Sequence, residues 1–312
     1  MTSTARPTSL VRHRVAPLLL ALALVLAGCG EEATDADVVV VGVGSTVEQQ
    51  VLAALTVVAL EHAGLSAELS PDLGDTLSLR RQARVGQIDL YWDYTGAAWA
   101  LAFGQENPPA DAHESFERVR EQDLENDLVW LDPTAANATL AFFVQAGDLP
   151  AEAPNGMGWM AGKLSSEEGT LCVDNDFRHR PGGLPQLATE YYQMSLDRVR
   201  VVSTDEDEAI VGVRDGRCFA GLATATSGLA YRAGLARVGD ELGVFPAFIV
   251  APVARAEVLE RLPALEMALE PIAEQLDTAS LRRLNAEAVD TDPEALAREF
   301  LADVLPDGDV ER

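Results

Sequence analysis

The chain has a single lysine, Lys163, with four histidines and three cysteines in 312 residues. These shortages close off several chemistries. No phosphate-cradling glycine-rich loop with a lysine is present, and Gly42-Val-Gly44 lacks the third glycine of a dinucleotide fingerprint. His13, His62, His113 and His179 include none at metal-ligand spacing with a cysteine or another histidine. Asp174, Asp176 and His179 lie close together, but a solvated loop accounts for them. Ser203-Thr-Asp-Glu-Asp-Glu208 offers hydroxyls and acids without a nearby histidine. It reads as a helix start whose carboxylates suit the N-terminal dipole, and not as a nucleophile with its base. No enzyme, cofactor or metal is expected. Basic charge is scarce too: 23 Lys plus Arg stand against 50 Asp plus Glu, for a net −27. That balance excludes nucleic acid as a natural partner and concentrates cations around the surface. The lone lysine speaks of genome composition more than of function.

The N-terminus sets the compartment. Arg6, Arg12 and Arg14 precede any acid, the first of which is Glu31, and Val15 to Leu26 is apolar. About a dozen apolar residues are too few to span a bilayer and fit a signal peptide. The run ends in Leu26-Ala27-Gly28-Cys29, the shape of a bacterial lipobox. Cleavage there would remove residues 1–28 and leave Cys29 to be lipidated, and two lipid attachments make a stable anchor. Residues 29–37 then form an acidic tether. The roughly 284 residues that remain, carrying a charge near −30, suffice for two domains of ordinary size.

Periodicity alternates between strand and helix, with no internal repeat. Val38 to Val43 suits a buried parallel strand, and Val47 to His62 has helical spacing that closes at Gly64. Further strands are expected at Leu65 to Leu69, Ile88 to Trp92 and Val129 to Leu131, with helices over Leu77 to Val85 and Ala112 to Leu124. Four helices close the chain: Arg255 to Leu262, Ala264 to Leu276, Ala279 to Ala288 and Pro293 to Val304. The segment Gly86-Gln-Ile-Asp-Leu-Tyr-Trp-Asp-Tyr-Thr-Gly96 stands out. By pattern it is a half-buried strand, with Ile88, Leu90 and Trp92 on one face and Asp89, Tyr91 and Asp93 on the other. Its clustered aromatics and acids also suit a cation too bulky to hydrogen-bond.

That segment resembles the signature of the substrate-binding proteins that serve glycine betaine, choline and carnitine ABC importers, and other stretches match in order. They are Val41-Gly42 with Val47-Glu48-Gln49, Leu73-Gly-Asp-Thr76, Phe177-Arg-His-Arg-Pro-Gly-Gly-Leu-Pro-Gln-Leu187, Phe245-Pro-Ala-Phe248 with Ala251-Pro-Val-Ala-Arg255, and Leu284-Asn285. Together they cover roughly residues 38 to 305. The resemblance implies an α/β, type II periplasmic-binding-protein fold: two α/β domains joined by a hinge, with the ligand cleft between them. The first domain would comprise 38–141 and 229–312, and the second 142–228, with crossings near Thr139 to Gln145 and at Ala223-Thr-Ala-Thr-Ser-Gly228. A small cationic or zwitterionic solute would be handed by a monomeric receptor to a permease and its ATPase.

The same resemblance suggests ligand residues. Tyr94 matches an aromatic that boxes the ammonium, and Arg180 matches an arginine that meets a ligand carboxylate with its fork of donors. Pairing of Arg180 with Asp174 or Asp176 in a loop is the other reading. Trp92, Thr95, Glu48, Asn137, Phe248 and Thr226 complete the expected site. Tyr191, Tyr192 and Tyr231 could add walls or merely pack. The chain departs from the family pattern at Leu140, where an aromatic is common, and at Thr224 to Gly228, which lacks a Tyr and an Asp. Phe248 stands where a Tyr is frequent. The aromatic box is thus depleted, which leaves open a different solute or a sensor or structural lipoprotein. Cys172 and Cys218 both fall in strand-like segments that the resemblance implies are neighbours in one sheet, where they are either bridged or two buried thiols.

Overall fold

A computed structural model describes residues 38–305 apart from 107, 153–154 and 167–168. The signal peptide (1–28), Cys29 and the tether (29–37) lie outside the described residues. Among the described residues, ten strands form two five-stranded sheets. The first contains β1 (Val39–Val43), β2 (Ala67–Asp72), β3 (Leu90–Tyr94), β4 (Leu128–Trp130) and, far along the chain, β10 (Val250–Arg255). Their order is β2-β1-β3-β10-β4. The second sheet contains β5 (Leu140–Gln145), β6 (Thr170–Val173), β7 (Arg200–Ser203), β8 (Ala220–Thr224) and β9 (Leu235–Arg237), ordered β7-β6-β8-β5-β9. In each sheet the first three strands of that order run parallel and the fourth runs antiparallel to the third. The wiring is repeated where the sequence is not. Helix Thr76–Arg84 leads into β3 and helix Glu206–Arg214 leads into β8, each second-sheet element standing 130 positions after its counterpart.

Local chemistry explains the elements. Thr46 caps helix Val47–His62 by accepting from the backbone N–H of Gln49, and Asp75 and Asp205 cap their helices through Ser78 and Glu208. The helix 47–62 is buried along most of its length and packs Val51, Leu52, Leu55 and Val58 into one core with Val39 and Val41 of β1 and Leu90 and Trp92 of β3. Each such side chain contributes about 1.5–3 kcal/mol by leaving water.

Strand β3 departs from expectation in a telling way. It begins two residues later than the expected Ile88 and both of its faces are buried. Leu90 and Trp92 enter the core formed with helix 47–62, while Tyr91 joins Ile88, Leu79, Phe116 and Val119 in a second core on the opposite face. A sheet covered by helices on both sides leaves no solvated face, so its polar side chains must find partners inside. Asp93 does so by accepting from the Tyr94 N–H at 2.8 Å and the Tyr91 hydroxyl at 3.2 Å. Burial pushes its carboxyl up to about 7. Beside it, Arg80 pairs with buried Asp123, which also accepts from Trp130 Nε1 at 2.7 Å.

The return crossing is later than expected. β9 pairs with β5 and so belongs to the second sheet, which moves the crossing from Ala223–Gly228 to residues 238–249. There it runs beside the outgoing segment 131–139. Ala138 N–H donates to the Phe248 carbonyl at 2.9 Å, and Thr139 Oγ1 donates to the Pro246 carbonyl at 2.6 Å. Residues 223–228 instead lead into helix Gly228–Arg232, which packs on helix Thr278–Glu287. A Cβ at Gly228 would sit 2.6 Å from the Asn285 carbonyl carbon, so only glycine permits this approach. Cys172 of β6 and Cys218, just ahead of β8, are joined as a disulfide with Cα atoms 5.9 Å apart.

Candidate functional site

A cleft of about 910 Å³ opens between the two sheets. The N-termini of helices 47–62, 76–84 and 206–214 reach it, as do the last residues of β3 and β8. Constant strand wiring makes this convergence: in both lobes the parallel strands deliver their C-terminal ends and the following helix starts to the same place, where ligands of α/β sheets sit.

Tyr94 ends β3 at the cleft. Its hydroxyl donates to Glu48 Oε1 at 2.7 Å and accepts from Gln49 Nε2 at 3.1 Å. Burial, together with the negative charge of Glu48, holds the phenol well above its ordinary value, so it stays a donor. Glu48 Oε2 accepts from Asn285 Nδ2 at 2.7 Å, and the same amide donates to the Thr226 carbonyl at 3.0 Å. Five cleft residues from four separate parts of the chain are thereby locked together. Across the cleft, Glu206 Oε1 accepts from both the N–H and the hydroxyl of Thr224 at 2.8 Å each. Burial raises the Glu206 carboxyl, and the charges of Asp207 and Glu48 push the same way.

Of the expected ligand residues, Tyr94, Glu48, Phe248 and Thr226 line the cleft. The ring of Phe248 lies against Gly96, where a Cβ would overlap it. The other four do not line the cleft, each for a physical reason. Trp92 is in the core and its indole N–H donates to Thr56 Oγ1 at 2.8 Å. Thr95 is fully buried and fastens three elements: it donates to the Ala247 carbonyl at 3.1 Å and accepts from Ser115 Oγ at 2.9 Å and Ile249 N–H at 3.1 Å. Asn137 ties the two crossings, its Oδ1 accepting from Phe248 N–H at 2.8 Å and Thr139 N–H at 3.2 Å. Arg180 pairs with Asp176 at 3.1 Å over the Phe177 ring, the loop arrangement that was its other reading. Asp174 caps helix Asn175–His179, and among the described residues no group of three or more His, Cys, Asp and Glu could hold a metal ion. Tyr191, Tyr192 and Tyr231 do not line the cleft.

The sequence understated Glu206. Its neighbours read as a helix start, which they are, but the cap at Asp205 also aims the next side chain at Thr224. A run of acids at a helix N-terminus directly after a strand was the available signal. With Glu48, Asp75, Asp205, Glu206 and Asp207 around it, the cleft is strongly acidic. Its one arginine, Arg232, is held by Asp290 at 2.6 Å and the Ala286 carbonyl at 3.0 Å. An acidic cleft with aromatic walls attracts and stabilises cations.

Two similarly wired α/β lobes, two crossing segments that run side by side and a cleft at their meeting define a type II periplasmic binding protein. The chain belongs to the family described as the substrate binding domain of ABC-type glycine betaine transport systems, which matches residues 37–303. It is 30% identical over 286 residues to the glycine-betaine-binding protein of Pseudomonas aeruginosa, covering 88% of this chain and 91% of that one. The glycine betaine-binding protein YehZ of Escherichia coli is 28% identical over 257 residues, or 79% of this chain and 84% of YehZ. The structure of apo YehZ superposes with a TM-score of 0.76, covering 85% of this chain and 98% of YehZ. A glycine betaine/carnitine/choline ABC transporter structure, at 20% identity and 85% and 98% coverage, shares the fold with a TM-score of 0.78. Members of this family are extracytoplasmic substrate-binding proteins of transport systems.

Proposed function

We propose that this protein captures glycine betaine, choline, carnitine or a related quaternary ammonium solute in the cleft and delivers it to a membrane permease powered by a cytoplasmic ATPase. The observation that carries this reading is Tyr94, an aromatic ring at the cleft with Glu48 on its hydroxyl. Tyr94 and Phe248 offer π faces to a methylated ammonium, and the carboxylates of Glu48 and Glu206 supply the field that draws it in. The names of the relatives agree with this ligand class. Crossings 131–139 and 238–249, laced together by Asn137, serve as the hinge on which the lobes close over the ligand. Closure excludes water, which strengthens the attraction between the cation and both the rings and the carboxylates.

The receptor stays at the outer face of the membrane through lipid on Cys29, and the segment 29–37 is its tether. Among the described residues no helix is long and apolar enough to cross a membrane. Titration calorimetry of the mature chain, unfolded and refolded to strip carried-over solute, against choline, glycine betaine, carnitine and proline betaine tests the binding reading. Saturable binding to at least one of them is expected; no heat from any of them, in a protein folded by circular dichroism, refutes it. Cys29→Ser should move the protein from the membrane to the soluble fraction.

A further inference from the structure

Resting on the reading that the lobes close over a ligand, we infer that the contact between helix Gly228–Arg232 of the second lobe and helix Thr278–Glu287 of the first is a third joint between them. It stays shut while the cleft opens, so the lips that carry Asp75 and Asp205 travel and the group formed by Glu48, Tyr94, Asn285 and Thr226 does not come apart. Each helix is rooted in its own lobe. Ala230 is fully buried in a core with Phe143 and Ala223 of the second sheet, and Leu281 and Leu284 lie in the core that holds Val51 and Leu52.

The two helices meet backbone to backbone. A Cβ at Gly228 would lie 2.6 Å from the Ala286 nitrogen, closer than side-chain atoms come. Asn285 Nδ2 donates to the Thr226 carbonyl at 3.0 Å, and Arg232 donates to the Ala286 carbonyl at 3.0 Å and to Asp290 at 2.6 Å. One turn earlier the Arg282 guanidinium stands 5.8 Å from the centre of the Tyr231 ring, within reach of its π face. Separating the helices would give up all of these contacts at once, each hydrogen bond costing about 0.5–1.5 kcal/mol and the charged one more.

Both helices also hang from the same crossing. Asn137 N–H donates to Thr278 Oγ1 at 3.0 Å, and Ala225 N–H donates to the Thr139 carbonyl at 2.7 Å. Anchored beside one another on the outgoing segment, the helices sit close to the axis about which the lobes turn. Strand order places the lips far from it. The crossings join β4 and β10 to β5 and β9, whereas Asp75 follows β2 and Asp205 follows β7, each three strands away from β10 or β5. At about 4.8 Å per strand the lips are about 14 Å from the axis, while Tyr94 on β3 and Thr224 on β8 are one strand from it. A turn of about ten degrees therefore parts the lips by about 2.5 Å and the floor by less than about 1 Å. Solute enters between the lips and meets a Tyr94 ring already in place, which spares the cost of assembling it on binding.

Electron paramagnetic resonance distances between spin labels test this in the mature chain carrying Cys29→Ser, whose other two cysteines are bridged. One label pair sits at the joint, on Tyr231→Cys and Arg282→Cys; the other spans the lips, on Thr76→Cys and Asp207→Cys. Without solute, the joint distance should be narrowly distributed and the lip distance broadly. With saturating choline or glycine betaine, the lip distance should shorten by at least about three times any change at the joint. Bridging the joint thiols with a short bis-maleimide should leave affinity within about threefold of the unbridged variant. A joint distribution as broad as that of the lips, a joint shift as large as theirs, or loss of binding on bridging overturns the joint. If neither solute moves the lips while the joint stays narrow and the lips broad, the ligand reading fails and the joint stands.

Discussion

Substituting Tyr94 by Phe and by Ala separates the two jobs assigned to this residue, because the hydroxyl and the ring act on different quantities. The hydroxyl donates to the Glu48 carboxylate at 2.7 Å, a charge-assisted bond whose loss costs about 1.5–3 kcal/mol. Tyr94→Phe removes it and leaves Glu48 held by Asn285 alone, while Gln49 Nε2 keeps the Trp92 carbonyl at 3.2 Å. The free energy of unfolding should fall by that amount, and ligand affinity should change little because the π face remains. Tyr94→Ala removes the ring as well. A desolvated cation–π contact is worth about 2 kcal/mol, so affinity should drop roughly thirtyfold beyond any effect seen in Phe. Urea denaturation reads the first quantity and titration calorimetry the second, at concentrations of urea where each variant is fully folded. An Ala variant that binds within about threefold of the parent would refute a ring against the ammonium. A Phe variant that loses as much affinity as Ala would place the contribution in the hydroxyl and its carboxylate instead.

Asp93 supplies a pH dependence of known sign. Its folded value of about 7 lies above the ordinary 3.8, so the folded state holds this proton more tightly, and the contribution to stability present below pH 4 is lost as pH rises through 7. Relative to Asp93→Asn, the parent should therefore lose about 4 kcal/mol between pH 4 and pH 8; parallel stability–pH curves for the two proteins would contradict the assignment. The disulfide closes a loop of sequence separation 46. Reducing it, or replacing both Cys172 and Cys218 by Ser, should lower stability by about 4 kcal/mol in the chain-entropy account, seen as a lower urea midpoint. Arg80→Met leaves Asp123 buried without its cation and should cost about 3–5 kcal/mol, again by denaturation, with ligand affinity unchanged in the folded protein.

Several features of this protein were fixed by local sequence. Helix 47–62 lies where its spacing and its Thr46 cap place it, because a long apolar run with a capping hydroxyl has one good way to bury itself. The ordered motifs around Tyr94, Leu73–Thr76 and Phe245–Phe248 marked the segments that line or frame the cleft, and with them the fold class. What the sequence could not give is the depth of each side chain. Trp92 and Tyr94 are two residues apart on one strand and read alike, yet helix 47–62 covers one and the end of the strand exposes the other to the cleft. The return crossing was misplaced because β9 is only three residues long and declares itself solely by pairing with β5. Arg180 looked like an anion site by motif, but its short helix turns it onto Asp176. The repeated wiring of the two lobes left little trace in residue identity: at the 130-residue spacing the capping Asp75 and Asp205 and the turn glycines Gly86 and Gly216 recur, and strand order and direction carry the rest. The union of Glu48, Tyr94, Thr226 and Asn285 was decided by tertiary structure alone: those residues are separated by up to 237 positions, and hydrogen bonds between them exist only once both lobes and the C-terminal helices have packed.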